Sequence, residues 1–251
     1  MTRLNITLVA PMPSARVTTA DKVKPGFFNN IRFGTTRTVV AAADRGNYPV
    51  VSFHTEDGDA LDWYPSLAAA RGDEIVFGFD AAQKQGVESW SALRSFKRRL
   101  GAIGPDEHIE IGDHKLTALE LLTGFLSALR RDLLTRSNLR VKRNEKLQAT
   151  ISVPANANSN QRFITLEAFR RAGFEAPLMM NEPSAAGIEY AHHLAGGGSS
   201  KRETLVVYDL GGGTFDSAVI NLVDRDHEAI ASDGIAKLGG DNFDVILLNM
   251  A

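Results

Sequence analysis

The stretch Val206–Leu222, "VVYDLGGGTFDSAVINL", decides how the rest of the chain is read. Two apolar runs flank a turn of Gly211, Gly212, Gly213 and Thr214, with one acid on each side, Asp209 and Asp216. Apolar runs joined by glycines read as strand, turn, strand. Three glycines alone are more often a tight hairpin than a ligand site, so the flanking acids carry the functional argument. A Gly/Thr turn presents consecutive backbone N–H groups with no bulky Cβ to hold a phosphate away, and its glycines are free to take positive φ. The Thr214 hydroxyl adds a donor. A carboxylate repels phosphate, so Asp209 is expected to act through hydrated Mg²⁺, which prefers carboxylates and retains its waters. No Lys-Ser/Thr follows the glycines and no helix opens after them, which excludes a Walker A loop and a dinucleotide fingerprint.

A second copy of the pattern lies upstream. "RFGTTRTVVAAADR", Arg32–Arg45, runs parallel to "DLGGGTFDSAVINLVDR", Asp209–Arg225: apolar strand, Gly/Thr turn, apolar strand, Asp-Arg. Thr35 and Thr36 occupy the place of the downstream Thr214. Two such units suggest a duplicated fold with a cleft between the copies.

Composition sets the bounds. A chain of 251 residues with 43% hydrophobic and 23% charged content can bury a real core as one or two domains. A net charge of -2 gives no basis for nucleic acid or an anionic membrane as the main partner. The absence of cysteine excludes disulfides and thiolate chemistry and fits a cytoplasmic protein. No apolar run reaches the ~20 residues of a bilayer span, and "MTRLNITLVAPMPSAR", broken by Pro11 and Pro13, makes a poor secretory signal. The six histidines have no ligand spacing, so no zinc site is expected.

Residues 1–29 read as an irregular leader. "TRTVVAAADRGNYPVVSF" predicts two strands turning at Arg45-Gly46-Asn47, and "DWYPSLAAARGDEIVFGFDA" predicts short strands interrupted at Pro65 and Gly72-Asp73. Leu119, Leu122, Leu126, Leu129 and Leu133 form one helical stripe, a core-facing helix rather than a zipper. The basic run Arg130–Lys146 reads as a solvated helix end and loop. "LQATISV" is a strand. A helix from about Ser159, capped by Asn158 or Ser159, is expected to end at a left-handed Gly173. A further helix opens at Pro183, followed by a Gly/Ser loop.

Several motifs in order now resemble a known family. "VVYDLGGGTFD", "FGTTRT", "ISVPANANSNQR", "NEPSAAGIEYA" and "KLGGDNFD" are similar to the nucleotide-binding domain of the heat-shock-protein-70 (DnaK-type) chaperones, within the actin and sugar-kinase superfamily. The resemblance implies an α/β actin-like ATPase fold, related to ribonuclease H. It implies a nearly complete lobe I over 30–205 and the beginning of a truncated lobe II over 206–251, exposing apolar surface and leaving the chain unstable or aggregation-prone. It implies ATP and ADP as ligands with Mg²⁺, and Mg-dependent ATP hydrolysis. In the intact family the partners are co-chaperones and unfolded polypeptide clients, in protein folding and stress response.

Carried over residue by residue, Gly34, Thr35, Thr36 and Arg37 would form the first phosphate turn. Gly211, Gly212, Gly213 and Thr214 would form the second. Lys97 in "SFKRRLG" falls at the family's phosphate-contacting lysine, against the plainer reading of one more solvated cation beside Arg98 and Arg99. Glu182 would orient or deprotonate the attacking water, where residues alone suggest only an acid complementing a helix dipole. Asp209 would hold hydrated Mg²⁺ and Asp216 would support it. Pro154 and Arg162 match the family's proline switch and its relay arginine. The chain departs at Arg32, where the family has an aspartate; a guanidinium there pairs with phosphate or Asp209, or blocks Mg²⁺. Two other classes remain open, a non-catalytic nucleotide sensor or scaffold and an actin-like filament or sugar-kinase relative.

Overall fold

The computed structural model describes residues 28–42, 49–100, 104, 107–139, 141, 146–154, 157–182, 185, 203–223, 226–235 and 237–250. The leader up to residue 27, the Arg45-Gly46-Asn47 turn, the Pro183 helix start, the Gly/Ser loop and the Arg32 side chain lie outside the described residues.

The Gly34 turn folds β1 (Phe28–Phe33) back on β2 (Arg37–Ala42) as an antiparallel hairpin, with Phe33 opposite Thr38 and Thr38–Ala42 all buried. The chain continues through β3 (Phe53–His54), β4 (Ala60–Leu61), β5 (Tyr64–Pro65), β6 (Leu67–Arg71) and β7 (Glu74–Phe77). As expected, the strands break at Pro65, where β5 ends before β6 begins at Leu67. Pro65 pairs with Arg37 at the edge of the sheet, where its missing N–H costs no ladder bond. Gly72, at φ 53°, makes the β6–β7 turn as expected. After α1 (Gly78–Ala82), β8 (Ser91–Arg94) returns to β6 and leads into the short α2 (Lys97–Leu100).

The pair β9 (His108–Ile111) and β10 (His114–Thr117) introduces α3 (Ala118–Thr135). Thr117 and Glu120 cap α3 reciprocally, each side chain taking the other's backbone N–H. The leucine stripe faces inward: Leu122, Leu126, Leu129 and Leu133 are buried with Leu121 and Phe125, while Leu119 sits at the margin. Next, β11 (Gln148–Val153) joins β1 in parallel. Helix α4 (Ser159–Arg171) starts on an Asn158 side chain accepting the Gln161 N–H at 2.8 Å, and is followed by Gly173 at φ 85°. Strand β12 (Glu175–Asn181) then adds in parallel to β11.

The resulting five-stranded sheet has the order β12-β11-β1-β2-β5. Its parallel strands carry their connections over a face on which α3 and α4 pack together. The core beneath them is aromatic: Phe33, Phe96 and Phe125 meet at 5.3–5.7 Å, and Tyr64 joins Phe125 to Phe53 and Phe79. Each such fully buried ring is worth about 1.5–3 kcal/mol over its exposed state.

A separate antiparallel sheet holds β13 (Glu203–Leu210), β14 (Phe215–Val223) and β15 (Asp226–Ile235), and α5 (Gly240–Met250) ends the described chain. Val206, Tyr208 and Leu210 on β13 and Leu247, Leu248 and Met250 on α5 are exposed. The fold is mixed α/β. Among the described residues no helix is long and apolar enough to cross a membrane.

Candidate functional site

The two hairpins place their turns against each other. A Cβ added to Gly212 would sit 2.7 Å from Thr36 Cγ2 of the first turn, closer than side-chain carbons approach. This close approach, rather than backbone handedness, is why position 212 is glycine. Positive φ was the expected use of Gly211, Gly212 and Gly213, but none of the three has it. The first turn is fixed from behind: Ser66 donates its N–H to Thr36 O at 3.2 Å, and the Thr38 and Ser66 hydroxyls bond at 2.9 Å. Thr35 is buried, while Thr36 and Arg37 are exposed, and Arg37 lies 4.5 Å over the Trp63 ring. Gly211 donates to Thr214 O at 2.9 Å and closes the second turn. A cleft of about 580 Å³ runs beside the turns, its lining including Thr36, Arg37, Ser95, Gly211, Gly212 and Asp241.

A buried charged group acts on the second hairpin. Lys97, at the start of α2, donates to Glu182 Oε1 at 2.6 Å, and both side chains are at most 10% exposed. Lys97 is therefore no solvated cation, and Glu182 does more than complement a helix dipole. On the second hairpin Asp209 and Asp216 are direct cross-strand partners, which points both side chains to one face of the sheet. Asp216 is buried, and its pKa is pushed up to about 6, first by burial, then by the charge of Glu182, with Asp209 adding to it. A hydrogen bond from Thr214 and the charge of Lys97 act the other way.

Arg162, at the start of α4, donates to Asn181 Oδ1 at 2.9 Å and to Ala157 O at 3.0 Å. It thereby ties α4 to the strand end that delivers Glu182. Pro154 is buried and its carbonyl accepts from Ala157. Residues without a role in the sequence reading also meet here. Ser95 and Arg98 bond to Asp241 and Asn242 of the "KLGGDNFD" segment, so Arg98 is not the solvated cation expected. The motif itself was the signal for Asp241; nothing in the sequence marks Ser95. In the basic run, Arg131 pairs with Asp80 and Asp132 at 2.7 and 2.8 Å, so it is committed to this chain's own acids.

The fit of a divalent cation follows from the donor set. Asp216 Oδ2 is buried without a hydrogen-bond partner, beside the Asp209 carboxylate. Among the described residues no three His, Cys, Asp or Glu side chains gather to ligate an ion directly. These residues fit Mg²⁺ held by one or two carboxylates with its waters retained.

The strain of Asp216 is measurable. Its folded-state pKa lies above the unfolded value of 3.8, so the folded state binds the extra proton and stability falls as pH rises from about 4 through about 6. Asp216→Asn is expected to be more stable than the parent by about 1–2 kcal/mol at pH 8, after allowance for solvent screening, and equal to it near pH 4. Urea denaturation at the two pH values reads this; a gap that persists at pH 4 contradicts it.

A family model described as Hsp70 protein matches residues 105–251. The match spans Glu182, both acids of the second hairpin and the glycine turn, while Gly34–Arg37 and Lys97 precede it and join the site through the contacts above.

Proposed function

The chain belongs to the Hsp70 protein family and has an Hsp70-like nucleotide-binding role, and from that premise we propose that it binds Mg-ATP between its two glycine/threonine turns and hydrolyses it. The observation that carries this reading is the close approach of Thr36 to Gly212, on a hairpin whose Asp216 feels the charges of the buried Lys97–Glu182 pair. Backbone N–H groups of both turns offer donors to phosphate oxygens, and the Thr35, Thr36 and Thr214 hydroxyls extend the nest. Lys97 supplies a positive charge that is already desolvated and oriented. Phosphoryl transfer requires mainly positioning and charge neutralisation, which is what this set provides.

Glu182 is the base for the attacking water. Its bond to Lys97 fixes the carboxylate, and when phosphate draws Lys97 away, Glu182 Oε1 is released to accept a water proton. Asp209 would hold the hydrated Mg²⁺ and Asp216 would support it. When bound, the ion would neutralise phosphate charge. Burial and the charge of Glu182 raise the Asp216 pKa to about 6, and a cation beside it would favour the carboxylate form. Arg162, through Asn181, reports the position of Glu182 to α4, whose entry carries Pro154. In this reading the protein serves as the nucleotide-driven part of a cytoplasmic chaperone with co-chaperones and unfolded clients as partners.

Calorimetric titration with ATP, with and without Mg²⁺, tests the reading on the parent chain and on Arg32→Asp. Binding that Mg²⁺ strengthens is expected. Nucleotide-independent heats in both chains would overturn it.

A further inference from the structure

Ser95, between β8 and α2, has a left-handed backbone at φ 54°, alone among the described non-glycine residues. A non-glycine side chain holds that conformation only when its surroundings compensate. The compensation is visible: the Ser95 hydroxyl donates to Asp241 Oδ2 at 2.5 Å, across 146 positions of sequence. The same oxygen lies 3.6 Å from Arg98 Nη1, and Arg98 Nη2 donates to Asn242 Oδ1 at 3.2 Å. On its other side Asp241 uses its backbone. Its N–H donates to Gly212 O at 2.7 Å, and the N–H of Gly240 donates to Gly211 O at 3.0 Å. Gly239 packs so closely that a Cβ there would stand 2.6 Å from the Gly212 carbonyl. Helix α5 thus meets the second turn through its first N–H groups and meets the Lys97 segment through the side chains of its first turn.

We propose that Asp241 is a positioning residue that locks the second glycine turn to the segment carrying Lys97, so that turn and lysine address one phosphate chain together. The proposal rests on the nucleotide reading above. An acid that merely complements the α5 dipole would need neither a strained Ser95 nor Arg98. Here one carboxylate oxygen serves both, and the backbone of the same residue grips the turn. Loosening Asp241 lets the turn shift relative to Lys97 without touching either.

Amide hydrogen exchange without nucleotide tests the lock directly. In Asp241→Ala the Gly211 and Gly240 amides are expected to exchange about tenfold faster, with α3 unchanged. Ser95→Gly, which adopts φ 54° without strain but lacks the hydroxyl, is expected to act in the same direction. Asp241→Asn keeps an oxygen for Ser95 and restores most of the protection. In Mg-ATP titrations Asp241→Ala binds about tenfold more weakly and Asp241→Asn within about threefold of the parent. Unchanged exchange at Gly211 and Gly240 in Asp241→Ala overturns the lock, as does acceleration spread equally into α3. A parent chain that takes up no Mg-ATP defeats the nucleotide reading instead, while the exchange comparison still decides the lock.

Discussion

Asp132→Ala is expected to lower stability by about 3–5 kcal/mol, the cost of opening a buried ionic network from one side. Asp132 projects inward from α3 and is 0% exposed, so its carboxylate depends on its neighbours. The Tyr64 hydroxyl donates to Oδ2 at 2.8 Å, Arg131 Nε donates to Oδ1 at 2.8 Å, and Arg136 Nε lies 3.7 Å away. Burial, then the adjacent Asp132 charge, holds the Tyr64 pKa well above its ordinary value, so the phenol remains a donor at any working pH. Alanine would leave that fully buried hydroxyl unpaired, a penalty of about 1–3 kcal/mol by itself. It would also take one of two acid partners from Arg131 and Arg136, each of which keeps Asp80. Because domains are stable by only about 5–15 kcal/mol, such a loss uses up much of the margin. Urea denaturation reads it, with Tyr64→Phe as a milder companion at about 1.5–3 kcal/mol. An unchanged midpoint in Asp132→Ala would show that the network contributes nothing net. The effect reaches the site, because Tyr64 pairs with Thr38 immediately after the first turn.

Glu182→Gln is expected to reduce ATP hydrolysis by about 10²–10⁴-fold, the usual contribution of a positioned base, or about 3–5 kcal/mol of barrier. Glutamine preserves the volume and can still accept from Lys97 through Oε1, so Mg-ATP binding should change far less than the rate. The substitution also removes the charge that, after burial, most raises the Asp216 pKa, so Asp216 should move down from about 6 toward 3.8. A carboxyl NMR titration follows that shift independently of turnover. Hydrolysis at the parent rate, with the Asp216 shift present, would mean that another group accepts the proton.

The elements that depend on near neighbours were legible in the sequence. The two Gly/Thr hairpins, the inward stripe of α3, the Asn158 cap and the left-handed Gly173 all follow from period, turn chemistry and capping within a few residues. The interpretation of the glycines was less secure. Their composition suggested positive φ, whereas Gly212 is small because Thr36 of another hairpin stands against it. Nothing within one turn of sequence encodes that contact.

Lys97 and Glu182 lie 85 positions apart, Tyr64 and Asp132 68, and Ser95 and Asp241 146. Each was read from the sequence as a solvated charge, as a residue whose role came from family resemblance, or as nothing at all. Which of them meet depends on the order β12-β11-β1-β2-β5, on the parallel connections that bring Glu182 beside α2, and on the approach of the second hairpin to the first. The sequence by itself determined the strands, helices and turns, because those are set by backbone preference and periodic burial over short range. Tertiary structure alone decided which charges are paired and desolvated, since the energy of a charge is fixed by what is folded around it.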